Sequence, residues 1–244
     1  MKYYLLLLSL ISLGACTNQT AEERYDEQHP QTEILSYAQI DSVLNSFPKL
    51  HYKDLDTAYL NYSDPNRAFE KKLKKQQYYV IEHTDMYKYL VGKYRIQNFL
   101  SKDKYYTEQL NNSDKPIKQY LLIDPKVLYR TLDLILLLEE NGYNKYGFSI
   151  RYGHRHPSHN YVRGGASKSQ HIYGKAIDII PEDVNNDGEA NLIDKGILLD
   201  LIDNQIIKGT GGVGRYPGSM SIHYDTRGFK RRWDSYTPHN KKKK

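Results

Sequence analysis

The chain has 244 residues, a formal net charge of +6 at pH 7, 24 tyrosines and one cysteine. This length is enough for one hydrophobic core with an accessory segment. A single cysteine excludes a disulfide within the chain. Residues 241–244 are all lysine, so a solvated tail accounts for part of the basic balance. No nucleic-acid-binding motif is visible, and we expect no nucleic-acid partner.

The first fifteen residues have the pattern of an export signal. Lys2 precedes an apolar run, residues 5–13, that is too short to span a membrane. The run ends in Leu13-Gly14-Ala15-Cys16, which is typical of a bacterial lipoprotein signal. We therefore expect residues 1–15 to be removed and Cys16 to be lipidated, which would anchor the protein in the bacterial cell envelope. The alternative is an ordinary signal peptide with an incidental cysteine.

The next hundred residues carry no recognisable catalytic motif. Residues 16–33 are polar and are predicted to form a tether. Residues 34–118 are predicted to be a helical accessory region, because apolar residues recur at helical spacing between 34 and 47. Further helices are expected over Asn66–Lys75 and Asp85–Leu100. Packing is the simplest role for this tyrosine-rich region; a wall of a cleft or a partner-binding face are the alternatives.

Residues 119–236 have a different character and are predicted to be an α+β domain, followed by a basic tail over residues 237–244. Asp124-Pro125 is a helix start, and Asn141-Gly142 is a natural stop. Strands are expected over Phe148–Tyr152, Lys175–Ile180 and Ser219–Tyr224. This order of elements predicts a small, mainly antiparallel sheet with flanking helices, preceded by a helical N-terminal segment.

Two histidines and an aspartate stand out as candidate metal ligands: His171, Asp178 and His223. Three ligands of this type can hold a catalytic zinc and leave its fourth position open for water. Zinc in such a site acidifies bound water and polarises a carbonyl, which is the chemistry of peptide hydrolysis. The alternative is that the three side chains are merely hydrogen-bonded in a core.

The sequence around these residues resembles the zinc peptidases of the D-Ala-D-Ala carboxypeptidase family, relatives of the hedgehog fold that act on bacterial cell-wall peptides. That family combines a Gly-Tyr-Arg-Ser-Pro turn, a Gly-Gly-Ala stretch with Ser-x-His and a following Asp, and a downstream His. The matching stretches here are Gly153-His154-Arg155-His156-Pro157, Gly164-Gly165-Ala166 through Ser169-Gln170-His171 to Asp178, and Gly212-Val213-Gly214-Arg215-Tyr216-Pro217 running to His223 and Asp225. The resemblance covers about half of the chain. It implies a zinc cofactor, peptidoglycan peptides as partners, His171 on the loop that enters the strand carrying Asp178, and His223 on another strand.

The catalytic base is not fixed by the sequence. Asp225 lies two residues beyond His223, so both side chains point to one face of the strand. It can orient a ligand or act as general base, and the base is the first choice. Many family members carry an acid three positions before the last histidine, where this chain has Met220. The remaining candidates for the base are His154, His156 and His159.

Three further residues are predicted to bind substrate. Arg155 occupies the arginine position of the family's turn, where a guanidinium can bind a peptide carboxylate with two hydrogen bonds. A loop-stabilising arginine is the alternative. Ser169 and Gln170 are placed to hydrogen-bond the peptide backbone or amine. His154 and His156 replace the family's usual Tyr and Ser, which changes the fit to the substrate.

Residues 183–194 have the pattern of a twelve-residue calcium loop. Oxygen-bearing side chains occur at positions 1, 3, 5, 9 and 12, and a glycine stands at position 6. The predicted calcium ligands are Asp183, Asn185, Asp187, Glu189, Asn191 and Asp194. We expect calcium to brace the strand that carries Asp178, without a part in catalysis. An acidic turn without metal is the alternative.

The leading hypothesis is a lipid-anchored zinc peptidase that acts on peptidoglycan stem peptides, as a carboxypeptidase or an endopeptidase. A catalytically silent cell-wall-binding lipoprotein that keeps the peptidase fold is the main alternative, and Met220 is its best support. A third hypothesis is a surface lipoprotein that binds another protein through residues 34–118.

Overall fold

The computed structural model describes residues 19–62, 64, 67–111 and 118–234. The predicted signal peptide, Cys16 and the basic tail over 237–244 lie outside the described residues. The chain divides into two compact units, Met1–Pro30 and Gln31–Lys244. In the first unit, helix α1 (Ala21–Gln28) begins with a capping box between Thr20 and Glu23. The predicted tether therefore contains a helix, which its polar composition did not indicate.

The second unit contains both helices and strands. Its described α-helices are α2 (Tyr37–Asn45), α3 (Thr57–Leu60), α4 (Glu70–Leu73), α5 (Lys104–Asn111), α6 (Pro125–Glu140), α7 (Pro157–Val162) and α8 (Leu192–Asp200), which continues as a π-helix over Leu201–Ile207. Its strands are β1 (Lys49–His51), β2 (Gln77–Glu82), β3 (Tyr89–Val91), β4 (Tyr94–Arg95), β5 (Lys118–Leu121), β6 (Phe148–Tyr152), β7 (Ala176–Pro181), β8 (Gly212–Gly214), β9 (Ile222–Asp225) and β10 (Arg231–Trp233). None of the helices in the described part of the chain has the length and apolar character needed to cross a bilayer.

Three sheets are present among the described residues. The five-stranded sheet has the order β10-β8-β9-β7-β6, and its pairs are antiparallel except β10 with β8. The three-stranded sheet β1-β2-β5 and the hairpin β3-β4 are antiparallel throughout. The fold is therefore α+β with mainly antiparallel sheets and flanking helices, which confirms the predicted class.

Helix α6 shows how local sequence fixes an element. The Asp124 side chain caps the helix by accepting the N–H of Lys126, and Pro125 occupies its first turn. Its apolar face is buried through seven residues, namely Val127, Leu128, Thr131, Leu132, Leu134, Ile135 and Leu138. Gly142 follows the helix with φ of 75°, a conformation that glycine adopts without strain. The beginning of α6, its buried face and its end all agree with the prediction.

Two of the helices predicted before residue 118 are wrong in part or whole. Over Asp85–Leu100 the structure has β3 and β4 joined through Gly92, whose φ is 55°, between short 3₁₀ turns at Thr84–Tyr87 and Ile96–Asn98. The predicted helix over Asn66–Lys75 is reduced to α4, with Asn66 itself outside the described residues. Strands β1 and β2 also fall in this region, which is therefore not helical throughout.

The buried core joins both parts of the sequence. One cluster packs Ile40 and Leu90 with Leu132 and Ile177 from beyond residue 119. A second, tyrosine-rich cluster packs Tyr59 and Tyr78 against residues Ile172 and Tyr173, which follow His171 directly. The residues before 119 therefore support the segment that carries a predicted metal ligand.

Candidate metal centre and cleft

The three predicted metal ligands meet at one point of the five-stranded sheet. Asp178 on β7 is paired in register with His223 on β9. His171 lies in the turn before β7, and its Nε2 is 3.0 Å from Asp178 Oδ1 and 3.1 Å from His223 Nδ1. His223 Nδ1 is 2.8 Å from the same Asp178 oxygen. Zinc with ligands at ~2.0–2.1 Å in tetrahedral geometry separates its ligand atoms by about 3.3 Å, so this spacing suits the ion.

The outer hydrogen bonds of the two imidazoles leave lone pairs facing inward. His171 Nδ1–H donates to the Gly153 carbonyl at 2.7 Å, which leaves Nε2 unprotonated on a neutral ring. His223 Nε2–H donates to Asp225 Oδ2 at 2.9 Å, so the neutral form of this ring has its lone pair on Nδ1. Two imidazole lone pairs and a carboxylate oxygen therefore converge, and a cation satisfies all three.

Burial sets the protonation states of this group. It lowers the pKa of His171 to about 4, and the nearby Arg155 guanidinium adds to the effect. Burial alone raises the pKa of Asp178, but His171 and Arg155 hold it well below its usual range. Burial also opposes protonation of His223, yet hydrogen bonds to Asp178 and Asp225 outweigh it and raise its pKa. Metal binding at Nδ1 therefore competes with protonation of the His223 ring.

Asp225 lies on the far side of the His223 ring from Asp178 and is completely buried. It accepts the backbone N–H groups of Gly212 and Arg227 and pairs with the Arg227 guanidinium through both oxygens. The prediction that Asp225 and His223 share a face of the strand agrees with this geometry. The predicted role as general base does not, because Asp225 faces the outer nitrogen of His223 and not the metal position. This position suits a residue that orients His223.

Glycine at position 212 is required by this contact. A Cβ there would lie 2.4 Å from Asp225 Oδ2 and 2.9 Å from Arg227 Nε. The close approach lets the Gly212 N–H reach Asp225 Oδ1 at 3.1 Å. The absence of a side chain at Gly212 therefore allows Asp225 to be held behind the His223 ring.

Arg155 also has a different partner from the one expected. Its guanidinium pairs with Asp178 Oδ2, and its Cζ lies 4.3 Å from the centre of the Tyr152 ring. Asp178 thus offers one oxygen to the metal position and the other to Arg155. Arg155 lines the cleft but is 7 % exposed, so its first function here is to hold the aspartate.

The metal position opens into a cleft of about 660 Å³. Ser169 and Gln170 line it, as predicted for residues that bind a peptide, and both are half-buried. Other residues on its walls are Arg151, Tyr152, Arg163, Gly164, Gly165, Ala166, Lys168, Tyr216, Ser219, Ser221, Arg227, Arg231 and Trp233. Among the described lining residues Asp178 is the only carboxylate, so no acidic side chain in this part of the chain is placed as a general base.

The alternative bases do not face the cleft. His154, His156 and His159 are all buried, and none of them is among the lining residues. Burial lowers the pKa of His154 to about 3 and that of His159 to about 4. His156 Nε2 contacts the Tyr59 carbonyl at 2.6 Å, which ties this turn to helix α3. The three histidines are therefore structural.

The predicted calcium loop is ordered by its own backbone. Asp183 accepts the N–H groups of Asp187 and Gly188 at 3.0 and 3.1 Å. Asp194 is fully buried, and its oxygens accept the N–H groups of Val184, Asn185 and Asn191 as part of the cap of α8. The side chains expected as ligands are Asp183, Asn185, Asp187, Glu189, Asn191 and Asp194. Among the described residues the only converging set of histidine or acidic ligands is the zinc group, so calcium stays a prediction.

Several residues of the site were not found from the sequence. Trp233 on β10 packs against the His223 ring with centroids 5.0 Å apart, and Arg227 lies over Trp233. Tyr152 holds Arg155, as described above. The Gly153 carbonyl accepts the hydrogen bond of His171 Nδ1, a contact that the resemblance of the Gly153 turn to the family did not indicate. No residue-type pattern marks such contacts, because they depend on how distant strands are brought together.

The comparisons agree with the geometry. Residues 123–196 match the family model described as Peptidase M15. The match begins just after β5 and extends through β7 into α8, so it includes His171 and Asp178 and ends before His223. No curated protein and no solved structure matches the chain.

Proposed function

We propose that this protein is a zinc-dependent peptidase. The premise is that residues 123–196 match the model of the peptidase M15 family, the D-Ala-D-Ala carboxypeptidase-like zinc peptidases. Its substrates would be peptidoglycan stem peptides, cut as a D,D-carboxypeptidase or an endopeptidase. The observation that carries the proposal is the convergence of His171, Asp178 and His223 at the floor of an open cleft.

Zinc, when bound, supplies a Lewis acid that polarises a peptide carbonyl and acidifies water. The chain's own residues keep the ligands ready for it. Arg155 holds one oxygen of Asp178, and Asp225 with Arg227 fixes the ring of His223. Because these supports are buried, the ligands need little rearrangement when the metal binds.

Peptide binding would use the polar wall next to His171. The Ser169 and Gln170 side chains line the cleft and make no hydrogen bond within the described residues. They are therefore available for the backbone or amine of a peptide. Ser219 and Ser221 face the same cleft from the loop before β9 and its edge. A peptide lying between these walls would place a carbonyl next to the metal position.

One observation favours a second candidate function. The described cleft residues offer no carboxylate besides Asp178, and Met220 stands where many relatives have an acid. A protein that binds cell-wall peptides without cutting them would keep this fold and need no proton-transfer group. We regard this catalytically silent lipoprotein as the alternative.

The proposed location is the bacterial cell envelope, with the protein anchored through lipid on Cys16. The support is the sequence pattern alone. Metabolic labelling with a radioactive fatty acid tests it: label should enter the wild-type protein and be absent from Cys16→Ala. Equal labelling of both proteins, or none in either, would contradict the anchor.

Digestion of purified peptidoglycan and defined stem pentapeptides, read by mass spectrometry, tests the activity. The reactions are run with zinc, with a chelator and with His171→Ala. Zinc-dependent loss of D-alanine identifies a carboxypeptidase, and conversion of cross-linked dimers to monomers identifies an endopeptidase. No product from a folded, zinc-loaded protein that still binds these peptides would support the silent alternative instead.

A further inference from the structure

Positive charge is concentrated on the walls of the cleft. Six cationic side chains line it against a single carboxylate, that of Asp178. The six are Arg151, Arg155, Arg163, Lys168, Arg227 and Arg231. Two of them are already committed, because Arg155 pairs with Asp178 and Arg227 with Asp225. The others have no carboxylate within salt-bridge distance in the described parts of the chain.

Three of these arginines gather around one aromatic ring. The Cζ atoms of Arg155, Arg151 and Arg163 lie 4.3, 5.4 and 5.4 Å from the centre of the Tyr152 ring. The pairing of β6 with β7 shifts in register between Ile150 and Tyr152. At this irregularity the consecutive residues Arg151 and Tyr152 both line the cleft. Arg163 comes from the end of α7. Separate elements thus bring like charges together.

Such an arrangement favours a bound anion. Like charges at short range repel each other, and contact with the Tyr152 ring offsets only part of this cost. Guanidinium groups bind carboxylates with two parallel hydrogen bonds, so a bound carboxylate would relieve the repulsion and gain directional contacts. Arg151 and Arg163 are both exposed and are not engaged with Asp178. They are therefore free to take it.

We infer that Arg151 and Arg163 form a carboxylate subsite that selects peptides carrying an acidic group in addition to their C-terminus. The charge count supports a second carboxylate, because Arg151, Arg163 and Lys168 together exceed the single charge of a chain end. This inference rests on the proposed function, in that it specifies the peptides which the cleft accepts. The subsite determines specificity and takes no part in the chemical step.

Two pentapeptides that differ in one group test the inference. Both have a stem sequence ending in D-Ala-D-Ala; one carries a free α-carboxylate on its γ-linked glutamate, and the other carries a carboxamide there. The wild-type protein should show a kcat/KM about tenfold to a hundredfold higher for the carboxylate, mainly through KM, as expected for a hydrogen bond between charged groups. Arg151→Gln and Arg163→Gln should each bring the ratio close to one, mainly by raising KM for the carboxylate peptide.

Lys230→Gln is the matched control, since Lys230 is exposed, lies next to β10 and does not line the cleft. It removes one positive charge and should keep the wild-type ratio. A ratio near one in the wild type, or a wild-type ratio in both arginine variants, would overturn the subsite. Equal loss in the control would show general attraction of charge, and would also overturn it.

Calorimetric titration of the zinc-loaded protein with both peptides separates this inference from the proposed activity. Preferential binding of the carboxylate peptide that is lost in the variants, without hydrolysis, supports the subsite and rejects the peptidase. Hydrolysis of both peptides at equal efficiency keeps the peptidase and rejects the subsite. Binding of neither peptide rejects both.

Discussion

Asp225 accepts the hydrogen bond of His223 Nε2 at 2.9 Å, while Asp178 lies 2.8 Å from Nδ1 of the same ring. The two aspartates occupy opposite sides of one imidazole. Asp178 is placed as a metal ligand, and Asp225 determines which nitrogen of His223 carries the proton. Two carboxylates that contact the same ring are thus placed for separate functions.

Replacing Asp225 by asparagine should weaken zinc binding. The variant keeps the shape of the side chain but loses the charge that orients His223 and neutralises Arg227. The loss of such a support for a metal ligand typically lowers affinity ~10–100-fold. Competition with a chromophoric chelator measures the zinc Kd directly. Asp234→Asn, which alters an exposed partner of Arg215, is the control and should keep the wild-type Kd. An unchanged Kd in Asp225→Asn with loss of turnover would instead indicate a general base.

Gly174 should tolerate substitution much less well than Gly142. Both have positive φ, 65° and 75°, so alanine at either is strained by ~1 kcal/mol or more. Only at Gly174 would the new Cβ meet backbone, 2.2 Å from the Leu122 carbonyl oxygen, whereas nothing lies within 4 Å at Gly142. Gly174→Ala should therefore lower the free energy of unfolding by roughly 3 kcal/mol or more, as strain is added to the clash. Urea titrations compare the two variants; equal destabilisation would show that the clash relaxes without cost.

Acid should destabilise the protein through its buried histidines. Burial lowers the pKa of His154 to about 3 from the ordinary histidine value of 6.5, so between these values the unfolded chain binds a proton that the folded chain excludes. The contribution of neutral His154 to the free energy of unfolding is fully present above about pH 6.5. It falls as the pH drops through this window, by up to about 1.4 kcal/mol per pH unit. Urea unfolding of the zinc-free protein at several pH values measures the slope. His154→Gln should reduce the slope by the equivalent of one proton, and an unchanged slope would exclude His154 as the source.

The calcium prediction depends on the loop over residues 183–194. If calcium binds there, it should raise the thermal midpoint of the zinc-loaded protein, because the folded state is stabilised by an amount that grows with the logarithm of calcium concentration over Kd. Asp187→Asn should abolish this shift, because it removes a ligand charge from an exposed position. Differential scanning calorimetry with calcium or with a calcium-selective chelator gives the answer. Identical melting curves would leave the loop as an acidic turn held by its own backbone.

The metal group could be predicted because its residue types and motif spacing are visible in the chain. His171 and Asp178 lie seven residues apart around a glycine turn, and His223 comes from the strand that pairs with β7. Helix α6 could also be predicted, since its cap, its apolar face and its stop are all local. In these cases short-range signals and tertiary packing favour the same structure.

The remaining features depend on contacts that local sequence does not encode. The stretch over 85–100 has apolar residues that fit a helix, but pairing of β3 with β4 and the positive φ of Gly92 determine its structure. The position of Arg155 depends on its pair with Asp178, 23 residues away, and that of Asp225 on its contact with His223, 2 residues away. Whether such a residue binds substrate, acts as a base or supports a ligand depends on which side of the ring or carboxylate it contacts. Distances of this kind appear only once the strands are assembled.

The zinc content of the purified protein, measured by mass spectrometry of the metal after dialysis, tests whether His171, Asp178 and His223 bind zinc. We expect one equivalent of zinc in the wild-type protein and its loss in His223→Ala and Asp178→Ala, with far-UV circular dichroism confirming that the variants fold. Absence of zinc from the wild-type protein after incubation with the metal, or equal retention in all three proteins, would contradict the assignment of His171, Asp178 and His223 as a zinc centre.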